Sequence, residues 1–240
     1  MSRLARFQGR IAGWGTASGT RVVVGRWDFS PLGGFADVMV ERPDGERLLL
    51  APTEGIAAFV SSTYRFDRVE VVPVTVRDDA EDGDGSRHDR DASRRDGDAS
   101  RRDGDGSRHD GRAGVPAPWL VDAGPLSARV VVGPRTGLGR LLRLVPGRLA
   151  TSPRFTGLTD PAARVLLHGV RTRGSAGSGR VEHYGATDVH AVVAVASTWG
   201  DEALGGLAPV DPPVRFGFGS TPRRPAVTDV VTTIVLPAAG

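Results

Sequence analysis

The chain has 240 residues, a formal net charge of +3 at pH 7, a pI of about 10.3 and no cysteine. It also contains no lysine, so all 31 positive side chains are arginines. The missing cysteine excludes disulfides, thiolate nucleophiles and Cys-ligated zinc or iron–sulfur sites in this chain. The missing lysine excludes a Schiff base and a complete phosphate-binding P-loop. Any catalysis must therefore use Asp, Glu, His, Ser, Thr, Tyr or Arg.

The opening stretch MSRLARFQGRIAGWG lacks the apolar core of a secretory signal. No run approaches the eighteen or more apolar residues of a membrane span. We therefore expect a soluble, cytoplasmic protein with no membrane span. The joint absence of lysine and asparagine is typical of a GC-rich gene, so the arginine content reflects codon supply and does not favour a nucleic-acid partner.

The first half of the chain, residues 1–76, is predicted to be rich in β-strands. TRVVVGRW is β-branched and apolar. FADVMVER alternates between apolar and polar residues. This places Ala36, Val38 and Val40 on one face of the strand and Asp37 and Glu41 on the other. PDG then predicts a turn into ERLLLAP, as in a hairpin. In RVEVVPVTV, Pro73 indicates an edge strand or a bulge.

Residues 77–112 form an insert made largely of Asp, Arg, Gly and Ser, with a seven-residue repeat. The insert has no Val, Ile, Leu, Met or aromatic residue, so it cannot bury enough surface to offset its ordering entropy. Asp82, Asp84 and Ser86 match the first ligands of an EF-hand loop. The glycine and the final acid of that loop are missing, and calcium binding is not favoured. We expect a disordered insert, and we expect deletion of Asp79–Gly111 to leave the fold intact.

Helices are predicted at a few places only. Thr53 can cap a short helix in which Ile56, Phe59 and Val60 share one face. Two further helical patterns lie in segment 136–168.

The second half of the chain, residues 113–240, carries these short helices and further strands. Strands are predicted in LSARVVVGP, GRVEHYGATDVHAVVAVASTW, PVRFGFGS and AVTDVVTTIVLP. The resulting fold class is mainly β (α+β). We expect an antiparallel β-barrel or sandwich with two or three short helices and a long disordered insert.

The densest group of polar residues is VEHYGATDVH, which contains His183, Asp188 and His190. If Tyr184–Thr187 form a turn, His183 faces Asp188 or His190 across a hairpin. Two imidazoles and a carboxylate suit a divalent metal or a proton-transfer pair. The alternative reading is that these are ordinary polar residues at a hairpin end, because no recognised ligand spacing is present.

Arginines are in local excess between residues 135 and 180, where only Asp160 opposes them. With little aromatic interleaving, a small anionic ligand is a simpler partner for this segment than a nucleic acid. The candidate ligand-binding residues are Arg171, Arg173, Arg180 and Tyr184.

Three stretches, FADVMVERPDGERLLLAPT, RTRGSAGSGRVEHYGATD and VRFGFGSTPRRP, resemble a family of uncharacterised proteins from high-GC actinobacteria. The resemblance implies a shared domain. It implies no activity, cofactor or functional residue. The expanded Asp/Arg repeat departs from the family pattern.

The leading interpretation is a soluble β-barrel-like protein that binds a small ligand, with an anion suggested by the arginine excess. The alternative is an enzyme that uses His183, Asp188 and His190, with or without a divalent metal. The sequence indicates no particular cofactor and no oligomeric state.

Overall fold

The computed structural model describes residues 3–79, 116–144, 173–176, 180–217 and 221–236. Thirteen strands and two helices lie within these ranges. In chain order the elements are β1 (Arg3–Thr16), β2 (Arg21–Phe29), β3 (Phe35–Glu41), β4 (Arg47–Ala51), α1 (Glu54–Ser61), β5 (Arg68–Val71), β6 (Val74–Asp78), β7 (Trp119–Ala123), β8 (Leu126–Arg135), α2 (Gly137–Leu142), β9 (Arg173–Ala176), β10 (Arg180–Trp199), β11 (Glu202–Ala203), β12 (Leu207–Ala208) and β13 (Ala226–Leu236).

These strands form one sheet, whose main order is β5-β4-β3-β2-β1-β13-β10-β8-β7-β6. The short strands β9 and β11 pair with β10, and β12 pairs with β1. Paired strands are antiparallel apart from β4 and β5, which are parallel. The sheet curls into a half-barrel, and this confirms the mainly β fold class predicted from the sequence.

The curl follows from the way the chain joins the two edges of the sheet. A flat sheet of ten strands would separate its edges by roughly 43 Å, at about 4.8 Å per spacing. The edge strands β5 and β6 are joined by two residues only, so Val71 and Val74 lie within about 11 Å of each other. Pro73 lies in this link between two edge strands, as its sequence context predicts. Its missing N–H therefore removes no hydrogen bond between paired strands. Arg26 of β2 also pairs with Asp78 of β6, with N–O distances of 2.7 and 3.2 Å.

The main hydrophobic core fills the concave side of the sheet. It combines side chains from both arms, including Trp14 of β1, Leu48 of β4, Trp119 of β7 and Leu126 of β8, each 0% exposed. Full burial of side chains of this size contributes about 1.5–3 kcal/mol each. The two arms are therefore held together by one continuous core.

Helix α1 covers part of the convex side, and it begins where the sequence predicts. The Thr53 hydroxyl accepts a hydrogen bond from the N–H of Ile56 at 3.3 Å, which caps the first turn. Ile56 and Val60 then pack on Leu49 and Ala51 of β4. This places a second, smaller apolar layer on the outside of the sheet.

The stretch PVRFGFGS, residues 213–220, was predicted to be a strand, but its described part, residues 213–217, contains none. Residues 210–217, hereafter the strap, run over the convex face without joining the sheet. In segment 136–168 the structure describes α2, and the second predicted helix lies outside the described residues. No helix in the described ranges has the length and apolar character needed to cross a membrane.

The residues that flank positions 80–115 are neighbours in the sheet, and the first two residues of the predicted insert, Arg77 and Asp78, belong to β6. Asp78 pairs with Trp119 across β6 and β7, and the Asp79 N–H donates to the Pro118 carbonyl at 2.7 Å. Residues 80–115 lie outside the described residues. The insert therefore connects two positions that a short hairpin turn could join.

Replacing residues 80–115 with a four-residue Gly/Ser linker is expected to preserve or slightly raise the melting temperature. Shortening this loop reduces its closure entropy by about 2 kcal/mol, whereas the hydrogen bonds that flank it remain. Differential scanning calorimetry of both proteins would measure the change. A variant with the same insert residues in scrambled order serves as the control. A drop of ten degrees or more on shortening would contradict the prediction.

Candidate functional site

A pocket of about 60 Å³ lies on the convex face, between strands β1–β3, helix α1 and the strap. Its walls are unusually aromatic. The Phe7 ring stacks on Phe59 with centroids 5.1 Å apart and meets the Trp27 ring edge-on at 5.7 Å. The aromatic residues that line the pocket are Phe7, Trp27, Phe35, Phe59, Tyr64 and Phe216.

Asp37 is the one acidic residue among the described residues that line this pocket. It is 2% exposed, and the described hydrogen bond to its carboxyl comes from the Trp27 indole N–H, at 3.0 Å from Oδ1. A Cβ on Gly25 would lie 2.5 Å from that same oxygen, so the contact depends on glycine there. Burial disfavours the charged form and raises the pKa of Asp37 to about 7, although the Trp27 hydrogen bond opposes the rise.

Thr232 supplies a second buried polar group in the pocket. It lies on β13 opposite Phe7 and is 2% exposed. Its hydroxyl has no hydrogen-bond partner among the described residues. An unsatisfied buried hydroxyl costs about 1–3 kcal/mol. The pocket therefore combines apolar walls with two polar groups that the described protein leaves under-bonded.

The strap forms one wall of the pocket and is fastened by Glu41, which is 0% exposed. The Glu41 carboxylate accepts hydrogen bonds from the backbone N–H and the Nε of Arg215, at 2.7 and 2.8 Å. Arg21 contacts the same carboxylate at 3.2 Å and donates to the Pro212 carbonyl at 2.9 Å. These contacts hold the strap, including Phe216, against the pocket.

The structure brings two of the predicted site residues together on the concave side. His190 Nε2 lies 3.6 Å from Asp188 Oδ2, and both residues are buried. His190 Nδ1 lies 3.2 Å from the Gly133 carbonyl, which orients the ring. The Asp188 carboxylate already accepts hydrogen bonds from Arg135 Nε at 2.8 Å and from the Val189 N–H at 2.8 Å. This carboxylate is therefore well compensated within the protein.

His183 does not face this pair across a hairpin. Strand β10 runs through residues 184–187 without interruption, so the turn considered for them is absent. His183 lies five residues before Asp188 on the same strand, at a distance on the order of 15 Å. The part of the chain that the structure describes contains no group of three or more His, Asp or Glu side chains placed to hold a metal ion.

Three of the four predicted ligand-binding residues lie in the first part of β10 or in β9, which pairs with it. Arg171 lies outside the described residues. Arg173 belongs to β9, and Arg180 is the first residue of β10. Tyr184 pairs across the ladder with Thr232, one of the residues that line the pocket.

Sequence reasoning missed Asp37 and Thr232 as site residues. The alternation in FADVMVER predicts Asp37 on the face opposite Val38, and the structure places it there, but alternation alone does not indicate a pocket. The same face carries Trp27, Phe35 and Met39, and this concentration of large apolar side chains was the available signal. Thr232 carried no such signal.

No protein-family model, curated protein or solved structure matches this chain. The resemblance to uncharacterised actinobacterial proteins therefore stays a prediction. We therefore describe the protein by its fold alone: it is a mainly β protein whose curled sheet carries a small pocket on the convex side.

Asp37 should make stability fall as pH rises. Because its folded pKa of about 7 exceeds the ordinary value of 3.8, the native state retains a proton that the unfolded state releases. Between pH 5 and pH 8 the wild type should lose roughly 3 kcal/mol of unfolding free energy relative to Asp37→Asn, which cannot titrate. Urea denaturation at both pH values measures this difference.

The exposed Asp201 provides a matched control for this measurement. Asp201→Asn should follow the wild type at both pH values. Identical pH dependence in the wild type and in Asp37→Asn would show that the buried carboxyl does not titrate as expected.

Proposed function

We propose that this protein binds a small organic ligand in the aromatic pocket that contains Asp37. The observation that carries the proposal is a pair of under-bonded polar groups, on Asp37 and Thr232, at an otherwise apolar pocket. Ligand sites typically combine mainly apolar walls with a few convergent polar groups. A ligand that bonds to both groups would recover free energy that the described protein alone leaves unrecovered.

The volume of the pocket limits what it can enclose. Its volume of about 60 Å³ is small beside the roughly 300–1,000 Å³ of typical ligand pockets. The enclosed part of the ligand is therefore a head group of a few non-hydrogen atoms, and any larger remainder lies outside. The expectation of an anionic ligand rests on a different feature, the arginines of segment 135–180, and it remains a separate proposal.

Screening a fragment library by NMR would test for binding in this pocket. The indole N–H resonance of Trp27 is the appropriate probe because that group donates to Asp37 within the pocket. We expect a subset of fragments to shift it in a saturable way, and the Trp27→Phe variant assigns the resonance. A library that leaves the Trp27 signal unmoved would count against the proposal.

Removing one aromatic wall should weaken whatever fragment binds. Phe59→Ala is expected to lower affinity about tenfold, because an aromatic contact contributes about 0.5–1.5 kcal/mol beyond its buried area. Phe29→Ala is the matched control, since Phe29 is 61% exposed and does not line the pocket. Equal effects of the two substitutions would place the fragments elsewhere.

The second candidate function is an enzyme that uses Asp188 and His190, without His183, which lies too far along β10 to join them. The observation that favours it is the buried contact between His190 Nε2 and Asp188, with the ring oriented by Gly133. Metal analysis of the purified protein and of His190→Ala discriminates between the two candidates. The ligand-binding proposal expects identical metal content in both proteins. A stoichiometric divalent ion lost from the variant would favour the enzyme.

A further inference from the structure

The aromatic pocket has a clear charge preference. Among the described residues that line it, Asp37 can carry a negative charge and none is basic. Buried charges in proteins are almost always paired, because an isolated buried charge is costly. The described structure gives the Asp37 carboxyl an indole N–H and no cation. A positively charged ligand group would complete this pairing, whereas a carboxylate or phosphate would be repelled.

The aromatic walls favour the same kind of ligand. Phe7, Trp27, Phe35 and Phe59 form a connected cluster, with successive ring centroids 5.1, 5.7 and 6.4 Å apart. Aromatic faces attract cations by about 0.5–2 kcal/mol, and several rings around one point form the usual site for organic ammonium groups. Metal cations are less suitable because the described pocket offers one carboxylate and few other oxygen ligands.

We propose that the ligand of this pocket carries an organic ammonium head group, which pairs with Asp37 and lies against the aromatic rings. This inference rests on the proposed ligand-binding function and specifies its ligand class. The hydroxyl of Thr232 can accept a second hydrogen bond from an ammonium N–H. An alkylammonium head fits the enclosed volume of about 60 Å³, and its alkyl chain extends beyond that volume.

The ammonium ligand should bind more tightly once Asp37 is ionised. The described side chains that line the pocket from β1, β2, β3, α1, the strap and β13 include no second charged group. Tyr64 is the one further ionisable side chain among the described residues that line the pocket. Asp37 therefore controls the charge of the pocket, and affinity for a cation should rise about tenfold from pH 6 to pH 8.

Isothermal titration calorimetry with a matched set of small probes tests the inference. The set consists of methylammonium to octylammonium chlorides, 1-butanol as an uncharged analogue and butyrate as an anion. At pH 8 we expect at least one alkylammonium to bind ten times or more tightly than 1-butanol, with butyrate not binding. Covering the chain lengths ensures that a poor fit of one alkyl group does not decide the result.

Two comparisons assign the preference to Asp37. Asp37→Asn should lose the tenfold advantage of ammonium over alcohol, while Asp201→Asn, an exposed acid, retains it. The pH series on the unmodified protein provides the same information without any substitution. Circular dichroism confirms that Asp37→Asn is folded before its affinity is interpreted.

The outcomes separate this inference from the proposed function. Preferential binding of 1-butanol or butyrate in the pocket would overturn the ammonium class and leave ligand binding intact. Binding of no member of the alkylammonium series would also overturn it, and the fragment screen would then decide separately whether the pocket binds any ligand. Ammonium binding that is unchanged in Asp37→Asn would place the cation at another site and would equally overturn it.

Discussion

The two-residue link between the edge strands is the constraint on which the rest of the structure depends. Because β5 and β6 lie at opposite ends of the strand order and only two residues separate them, the sheet has to curl until the end of β5 lies close to the start of β6. Curling creates a concave side that is filled by one core from both arms. It also leaves a convex side with large apolar residues that need a separate cover. Helix α1 and the strap provide that cover, and the pocket lies between them and the sheet.

The pocket exists because this outer layer does not fill the space above the sheet completely. At two sheet positions a glycine, which has no side chain, lets a neighbouring side chain approach the backbone closely. A Cβ on Gly13 would lie 2.4 Å from the Thr221 side chain, and one on Gly25 would collide with Asp37. The strap is held by hydrogen bonds to the buried Glu41 rather than by strand pairing, so its position is fixed by a few polar contacts. The strap therefore does not pack closely against the whole of the sheet beneath it, and the pocket is the space that remains between them.

Local features of the fold could be predicted from sequence, because they depend on neighbours in the chain. Three such features are found where the sequence predicts them. FADVMVER forms a strand, Thr53 caps α1, and Pro73 lies between two edge strands. The strand order could not be predicted, because it depends on pairings between distant segments. The strap was misread for the same reason, since VRFGF has strand composition but its partners are Glu41 and Arg21.

The candidate sites differ in how far the protein itself compensates their buried acids. Asp188 was identified from sequence, and it receives Arg135, a backbone N–H and a nearby imidazole. The hydrogen bonds of Asp188 are enough to explain its burial by a structural role. On the concave side it helps to hold α2 beside β10. Asp37 receives a single indole N–H within the described structure, and burial raises its pKa to about 7. Stability alone would be better served there by a neutral side chain of similar size. A bound cation would reverse that balance, because it would pair a buried carboxyl that now receives only an indole N–H from the described residues.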